Sequence, residues 1–497
     1  MSAPRSPSGD PPRAGRGPPA SLIAVIAVAL AVRLAVGGTI HLTEDEAYYR
    51  LWSMTPAWGY YDHPPMIALW IWLGRHAAGD TPLGVRLLPT LASAAISLLV
   101  FDLARLAGAA RPEAARAGVW YNAMLLVAAG GFLAVPDSAA ALFWTLALWC
   151  ALKAAPASIG WWLAAGAAAG LAALSKYSAL FLAPGIFLWL AWTPAGRRQL
   201  AGPGPWLAAV VALSVFGLNV GWNASHGWVT FAKQFGRVAP TRLALRYLAE
   251  FLVTQGLLLN PLIAAFLVRA MAARRQPDRR ASAIVPFIAT SLPFIAYLLI
   301  HSLHDRVQAH WPAPIYPALA VIAALGARDV SASILWATLR RAAPVLGLGV
   351  FALMLAYLAA PAKVVDALDL ARPVRGWTPF AARLEGLRTQ AHAAWIGTAS
   401  YGLAAELADE PSLRAPVLQI SERARYQGLG PAAPPDLTRP GLLVDLPRRI
   451  DLAALRRCFA GVEPLGTVVR GEPGEANTAY EAILVFSPTR DIPRAGC

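Results

Sequence analysis

Residues 41–65, HLTEDEAYYRLWSMTPAWGYYDHPP, follow directly on an apolar run at 21–38. That run has the length of a membrane span. Behind it the chain packs four carboxylates, two histidines and four tyrosines into 25 residues. Acids and aromatic rings gathered at the mouth of a bilayer imply a reaction at the membrane surface, on a substrate with one apolar end and one polar end. The run also has the look of a secretory leader core. No small-residue cleavage site precedes the acidic stretch, however, so an uncleaved first helix is expected.

Composition points the same way. Of 497 residues, 57% are hydrophobic and 14% charged, with a mean hydropathy of +0.49. Soluble domains carry about 25% charged residues. A polytopic α-helical membrane protein is expected. The net charge of +15 calls for no nucleic acid, because much of it lies in short connectors where it orients spans. Three cysteines are too few for a disulfide framework. Cys150 lies in an apolar run and is expected to be inert, whereas Cys458 and Cys497 are free to pair if their segment is extracytoplasmic. Residues 1–20, rich in Pro, Gly, Ser and Arg, are expected to form a disordered cytoplasmic tail.

Further apolar runs fall near 83–107, 117–134, 138–153, 160–175, 178–193, 205–222, 248–270, 282–300, 312–328 and 342–360. With 21–38 they predict about eleven transmembrane helices between residues 21 and 360. One alternate set of connectors is basic, with Arg105, Arg111 and Arg116, then Arg197 and Arg198, then Arg274, Arg275, Arg279 and Arg280, then Arg340 and Arg341. That set is placed in the cytoplasm, with the N-terminus. The opposite set comprises the loop 39–82, the turns at 135–137 and 175–177, the segment 223–247 and residues 301–310. It holds nearly every unusual polar residue. After residue 360 the apolar runs shorten to strand length, at 394–397, 415–420, 442–446 and 482–486, with helical patterns at 401–408 and 451–459. A small extracytoplasmic α/β domain is expected over 361–497. No internal repeat is visible.

Each polar residue on that face has two readings. Thr43 with Glu46 is a capping box, which explains Glu44 and Glu46 as scaffold. Asp45 is left over, at a span junction where desolvation makes a carboxylate a better base. Tyr60-Tyr61-Asp62-His63-Pro64-Pro65 is either an ordinary turn or a rigid presentation of Asp62 and His63 as base, ligand or phosphate contact. Asp137 is a helix cap or a functional acid at membrane depth. Lys176 either snorkels to the interface or faces a ligand. Arg237, Arg242 and Arg246 offer cations for a substrate anion or for lipid headgroups. His301, His304, Asp305, Arg306 and His310 cluster before Trp311-Pro312; a divalent metal there is left open.

Asp45-Glu46-Ala47-Tyr48-Tyr49 after the first span, Tyr61-Asp62-His63-Pro64-Pro65, Pro136-Asp137, Leu174-Ser175-Lys176-Tyr177 and His310-Trp311-Pro312 occur in an order and on a common face that resemble the GT-C glycosyltransferases. The resembling branch holds the protein O-mannosyltransferases and the lipid A aminoarabinose transferase (ArnT-like). The segments 400–407 and 425–427 resemble the small extracytoplasmic domain of one bacterial subgroup. The resemblance implies a GT-C fold, with a transmembrane catalytic domain at 21–360, its periplasmic loop at 39–82, and a periplasmic domain at 361–497. It implies a bacterial inner-membrane enzyme, a hexosyl or pentosyl transferase. Such an enzyme moves a monosaccharide from a polyprenyl-phosphate donor to a lipid, lipopolysaccharide or protein acceptor, with inversion. Asp45 and Asp137 are implied as the catalytic acids. Tyr49 and Lys176 are implied as phosphate contacts, with Glu46, Tyr61, Asp62, His63, Arg242, Arg306 and His310 as further substrate-binding residues. Where the aminoarabinose transferases carry a Glu-Lys pair before two prolines, this chain has Asp62-His63. The rival expectation is a transporter or flippase of a lipid-linked substrate. It is disfavoured by the absence of a repeat and by the gathering of ionisable groups at one face.

Overall fold

The computed structural model describes residues 17–154, 158–236, 243–273, 283–330, 332–360, 369, 371–426, 429, 435–471, 477–492 and 496–497. Most of the expected 1–20 tail, Arg237, Arg242, Arg274, Arg275, Arg279 and Arg280 lie outside them.

Helix α1 (Ala20–Thr39) carries one charge, Arg33, which is buried. Its guanidinium donates to Ser93 Oγ at 3.1 Å, Asn122 Oδ1 at 3.2 Å and the Val127 carbonyl at 2.9 Å, so the charge is carried by partners rather than by lipid. The short interfacial helix α2 (Glu44–Met54) follows, then α3 (Met66–Ala78) behind the Pro64-Pro65 pair, and α4 (Pro82–Leu106). The expected 117–134 span is divided at Met124 into α5 (Arg111–Ala123) and α6 (Leu125–Gly130). Next come α7 (Pro136–Lys153) and α8 (Ile159–Ala173).

Among the described residues, four helices are long and apolar enough to cross a membrane alone: α1, α4, Gly204–Ser225 and Ile334–Ala359. The number reaches six if two bent pairs each count as one span. These pairs are Tyr177–Trp192 with Pro194–Leu200, bent by 118°, and Leu245–Leu258 with Pro261–Ala272, bent by 103°. Pro194 and Pro261 each open the second helix of a pair, where the missing N–H is tolerated but the preceding helix cannot run on. The remaining apolar runs form shorter helices packed among these. Glycine lets one of the shorter helices close on a long one: a Cβ at Gly166 would lie 2.3 Å from the Ala208 carbonyl oxygen, so α8 meets helix Gly204–Ser225 backbone to backbone.

Among the described residues, several basic groups at the connectors meet. Arg328 Nε bonds Glu113 at 2.8 Å, Arg269 reaches the Gly326 carbonyl at 3.0 Å, and Arg111 reaches Gly17 at 2.9 Å. These contacts tie the N-terminal segment, the α4–α5 corner and the end of helix Tyr316–Gly326 into one end of the bundle. Loop 39–82, the start of α7 and residues 175–177 meet each other instead.

The C-terminal part is a five-stranded mixed sheet of order β2-β1-β3-β5-β4. Its strands are β1 (Trp395–Thr398), β2 (Val417–Gln419), β3 (Gly441–Asp445), β4 (Phe459–Arg470) and β5 (Thr478–Pro488). β1 runs parallel to β2 and β3, and β5 antiparallel to β3 and β4. Trp377, Phe380 and Leu384 of helix Trp377–Gln390 are buried against one face of this sheet. Cys458 and Cys497 form a disulfide across 5.8 Å between Cα atoms. Helix Tyr401–Asp409 lies on α2, joined by the Arg50–Asp409 ion pair at 2.6 Å.

Candidate active site

The site is built on the first turn of α2. Thr43 Oγ1 accepts from the Glu46 N–H at 3.4 Å while the Glu46 carboxylate accepts from the Thr43 N–H at 3.0 Å, closing the capping box. The same carboxylate is fully buried, takes two bonds from Arg86 at 2.8 and 2.6 Å, and accepts from the Ala134 N–H at 2.9 Å. Burial alone would raise the Glu46 carboxyl, but the charge and hydrogen bonds of Arg86 hold it below its ordinary value. The substrate-binding expectation for Glu46 is therefore corrected: its oxygens are committed to the scaffold. What Glu46 does is fix its neighbour. Asp45 turns outward into a cavity of about 390 Å³, and among the described residues only Tyr401 hydrogen-bonds it, donating to Oδ1 at 2.8 Å.

Asp137 lines the same cavity from the first turn of α7, with His310 beside it. Pro136 at the helix start sets the turn that aims it. Lys176 Nζ bonds both Asp137 oxygens, at 2.7 and 2.8 Å, and His310 Nε2 lies 3.6 Å from Oδ2. Burial lowers the His310 imidazole, with Asp137 opposing that shift. Lys176 in turn lines a second cavity of about 340 Å³ with His63, Phe181, Gln234, Tyr297 and Trp311. Its ammonium is 5.7 Å from the centre of the Trp311 ring. The Asp137–Lys176 pair is thus a wall shared by two cavities. The first has an apolar floor that includes Ile96, Leu126 and Val127, and the second an aromatic side.

The other expected residues divide. His63 lines the second cavity. Tyr49 is buried beside Trp52, with ring centres 4.9 Å apart, and edge-on to His63 at 6.1 Å. Asp62 is buried and pairs with Arg425 from the C-terminal part, while Tyr48 donates to it at 3.2 Å. A substrate-contact role for Asp62 is corrected to that of a clamp. Tyr61 carries cations on its ring, with Lys233 and Arg425 each 5.3 Å from its centre. Arg306 is also a correction: it is exposed, pairs with Glu250 at 2.8 Å and lines neither cavity. Arg242 is outside the described residues. His301 and His304 lie ring to ring at 4.9 Å, but among the described residues no group of three or more His, Cys, Asp or Glu side chains is placed to hold a metal ion.

Sequence reasoning missed Arg86, Tyr401 and the carboxylates behind His41. Arg86 had a signal, being a charge inside an apolar run. His41 lies 3.3 Å from Glu406 and 3.0 Å from Glu410, both buried. Burial, and then Glu44 and Asp409, push the Glu406 carboxyl well above its ordinary value of 4.5. A carboxyl raised by folding stabilises fully below its unfolded value and loses that contribution as pH climbs toward the folded value. Glu406→Gln is accordingly expected to raise the thermal midpoint at pH 8 by more than at pH 5, and to flatten its pH dependence. Parallel profiles in scanning fluorimetry would contradict this.

Comparison with known proteins agrees with this architecture. A family model described as dolichyl-phosphate-mannose-protein mannosyltransferase matches residues 62–222. The lipid A galacturonosyltransferase RgtD of Rhizobium johnstonii is 28% identical over 288 residues, which is 56% of this chain and 59% of that protein. The chain thus spans under two thirds of the length of that relative. The crystal structure of ArnT from Cupriavidus metallidurans bound to undecaprenyl phosphate superposes with a TM-score of 0.62 at 17% identity, covering 93% of this chain and 98% of that one. The mycobacterial arabinofuranosyltransferase AftD superposes at 0.50 with 12% identity, covering 95% of this chain and 40% of that one. The chain thus shares the fold of the ArnT structure, and over residues 62–222 it is similar to the dolichyl-phosphate-mannose-protein mannosyltransferase family.

Proposed function

We propose that this protein is an inverting glycosyltransferase of a bacterial inner membrane. It moves one sugar from a polyprenyl-phosphate donor to a lipid, lipopolysaccharide or protein acceptor on the periplasmic face. The observation that carries this reading is the Asp137–Lys176 pair standing between two cavities, with Asp45 facing the first.

In this reading the donor phosphate sits in the second cavity beside Lys176 and His63, with its isoprenoid along Phe181, Tyr297 and Trp311. The acceptor occupies the first cavity, whose apolar floor suits acyl chains. That favours a lipid A-type acceptor, as does the similarity to RgtD. Both volumes fall within the ~300–1,000 Å³ usual for ligand cavities. Asp45 takes the proton of the acceptor hydroxyl, the hydroxyl oxygen bonds to the anomeric carbon, and the bond from that carbon to the phosphate oxygen breaks on the opposite side. The phosphate leaves as an anion and needs positive charge more than a proton, which Lys176 supplies. A second carboxylic acid is not required, in contrast to glycoside hydrolysis; Asp137 instead holds Lys176 in place. The Cys458–Cys497 disulfide, in the same C-terminal part that brings Tyr401 to Asp45, supports an extracytoplasmic site, since such bonds persist in oxidising compartments.

Mass spectrometry of lipid A, glycolipids and envelope proteins from a deletion strain tests the reading. One species is expected to lose a single monosaccharide, restored by the wild-type gene. Unchanged glycans, with a lipid-linked substrate displaced between leaflets, would favour the flippase.

A further inference from the structure

We propose that Tyr401, supplied by the C-terminal part of the chain, is a positioning residue for Asp45, so that this part is a component of the active site. The inference rests on the reading of Asp45 as the base, and extends it to residues 356 positions away.

Helix Tyr401–Asp409 begins at Ser400, whose side chain accepts from the Leu403 N–H. Its first turn presses on the first turn of α2. A Cβ at Gly402 would lie 2.7 Å from Glu44 Cβ, so a larger residue there would push the two helix starts apart. That approach delivers the Tyr401 hydroxyl to Asp45 Oδ1 at 2.8 Å.

The ring is fixed from several sides. Tyr48 meets it edge-on at 5.1 Å between centres. The Arg425 guanidinium lies 4.4 Å from its centre, itself held by Asp62 and Glu422. Tyr426 donates to the Tyr401 carbonyl at 2.6 Å. The clamp thus joins the acidic loop to the C-terminal part through Asp62, Arg425 and Tyr401.

The chemical consequence concerns which oxygen reacts. Burial, and then the charge of Asp45, push the Tyr401 hydroxyl well above its ordinary value, so it stays a donor through the physiological range. Its proton occupies Oδ1. Rotation about the Cβ–Cγ bond would break this hydrogen bond, which leaves Oδ2 as the oxygen offered to an acceptor hydroxyl in the cavity. Without the tyrosine hydroxyl the carboxylate turns freely, and the geometry that a proton transfer needs is sampled less often.

The test compares wild type, Tyr401→Phe, Asp45→Asn and the double variant. Each is expressed in the deletion strain, and detergent-solubilised membranes from it supply their own lipid-linked donor. The acceptor probe is the envelope species that loses its sugar in that strain, titrated while its mass gain is followed. Tyr401→Phe keeps the ring contacts. It is expected to leave the thermal midpoint and the acceptor KM unchanged and to lower kcat roughly 10–100-fold. Added to Asp45→Asn it is expected to cause no further loss. A Tyr401→Phe enzyme at wild-type kcat, or one that loses the same factor in both backgrounds, overturns the inference alone. An Asp45→Asn enzyme at wild-type kcat, or a deletion strain in which no species loses a sugar, overturns the functional reading and this inference with it.

Discussion

Asp45→Asn is expected to lower sugar transfer by roughly 10²–10⁴-fold, the range that a positioned general base contributes, while leaving protein level and thermal midpoint near wild type. The second half of that expectation follows from the local structure. Asp45 is not the residue that holds the first turn of α2; Glu46 is. An asparagine oxygen still accepts the Tyr401 hydroxyl bond. What disappears is the basic oxygen facing the cavity. Asp137→Asn is expected to be equally damaging by another route. Both oxygens of Asp137 hold Lys176, so the asparagine removes the countercharge and one of the two bonds that fix the ammonium proposed to face the leaving phosphate. The two variants are separable kinetically: Asp45→Asn acts on kcat, and Asp137→Asn on the donor KM as well. Wild-type glycans in a strain carrying Asp45→Asn at normal abundance would refute the base assignment.

Much of this arrangement is written in local sequence, and the part that is not has a common cause. The Thr43–Glu46 box is legible because both partners lie within one turn. Strands β1, β2, β3 and β5 are legible because each is a short apolar run. β4 is not. It is largely exposed and carries Gly461, Pro464 and Gly466, with a register irregularity where it pairs with β5 between Pro464 and Gly466, so no apolar pattern marks it. The bent spans are hidden because a proline at a helix start reads the same in a broken span as between two complete ones. The site acids Asp45 and Asp137 were legible as acids at span ends. Their different surroundings were not, since the partners that distinguish them, Tyr401 and Lys176, lie 356 and 39 residues away. Glu46 misled for the same reason. Its Arg86 partner is 40 residues off, and the resemblance, which implies a substrate-binding role for Glu46, does not reveal that bond.

Arg86→Met is expected to be the most destabilising single change near the site, by ~3–5 kcal/mol, the cost of leaving one member of a buried ion pair without its partner. The guanidinium is buried and each of its nitrogens is used. Besides Glu46, it donates to the Gly37, Ile40 and His41 carbonyls at 2.7, 2.9 and 2.8 Å. It therefore closes the C-terminal end of α1, anchors the first turn of α2 and, through Glu46, holds the Ala134 N–H just ahead of α7. Those three elements carry the geometry of the whole cluster: Asp45 follows from α2 and Asp137 from α7. Methionine retains the aliphatic stem but leaves a buried carboxylate without its cation, though still bonded by the Thr43 and Ala134 N–H groups, and takes the Arg86 donor from three carbonyls. The expected result is a large drop in thermal midpoint and in membrane-inserted protein, with activity lost alongside. Glu46→Gln together with Arg86→Met removes both charges. If the penalty comes mainly from the orphaned carboxylate, the double variant is more stable than Arg86→Met alone. If instead it is equally unstable, most of the loss comes from the carbonyls at the end of α1, and the ion pair is secondary to a helix-capping role. An Arg86→Met protein as stable as wild type would remove the hub altogether and with it the explanation of how α1, α2 and α7 are brought to one point.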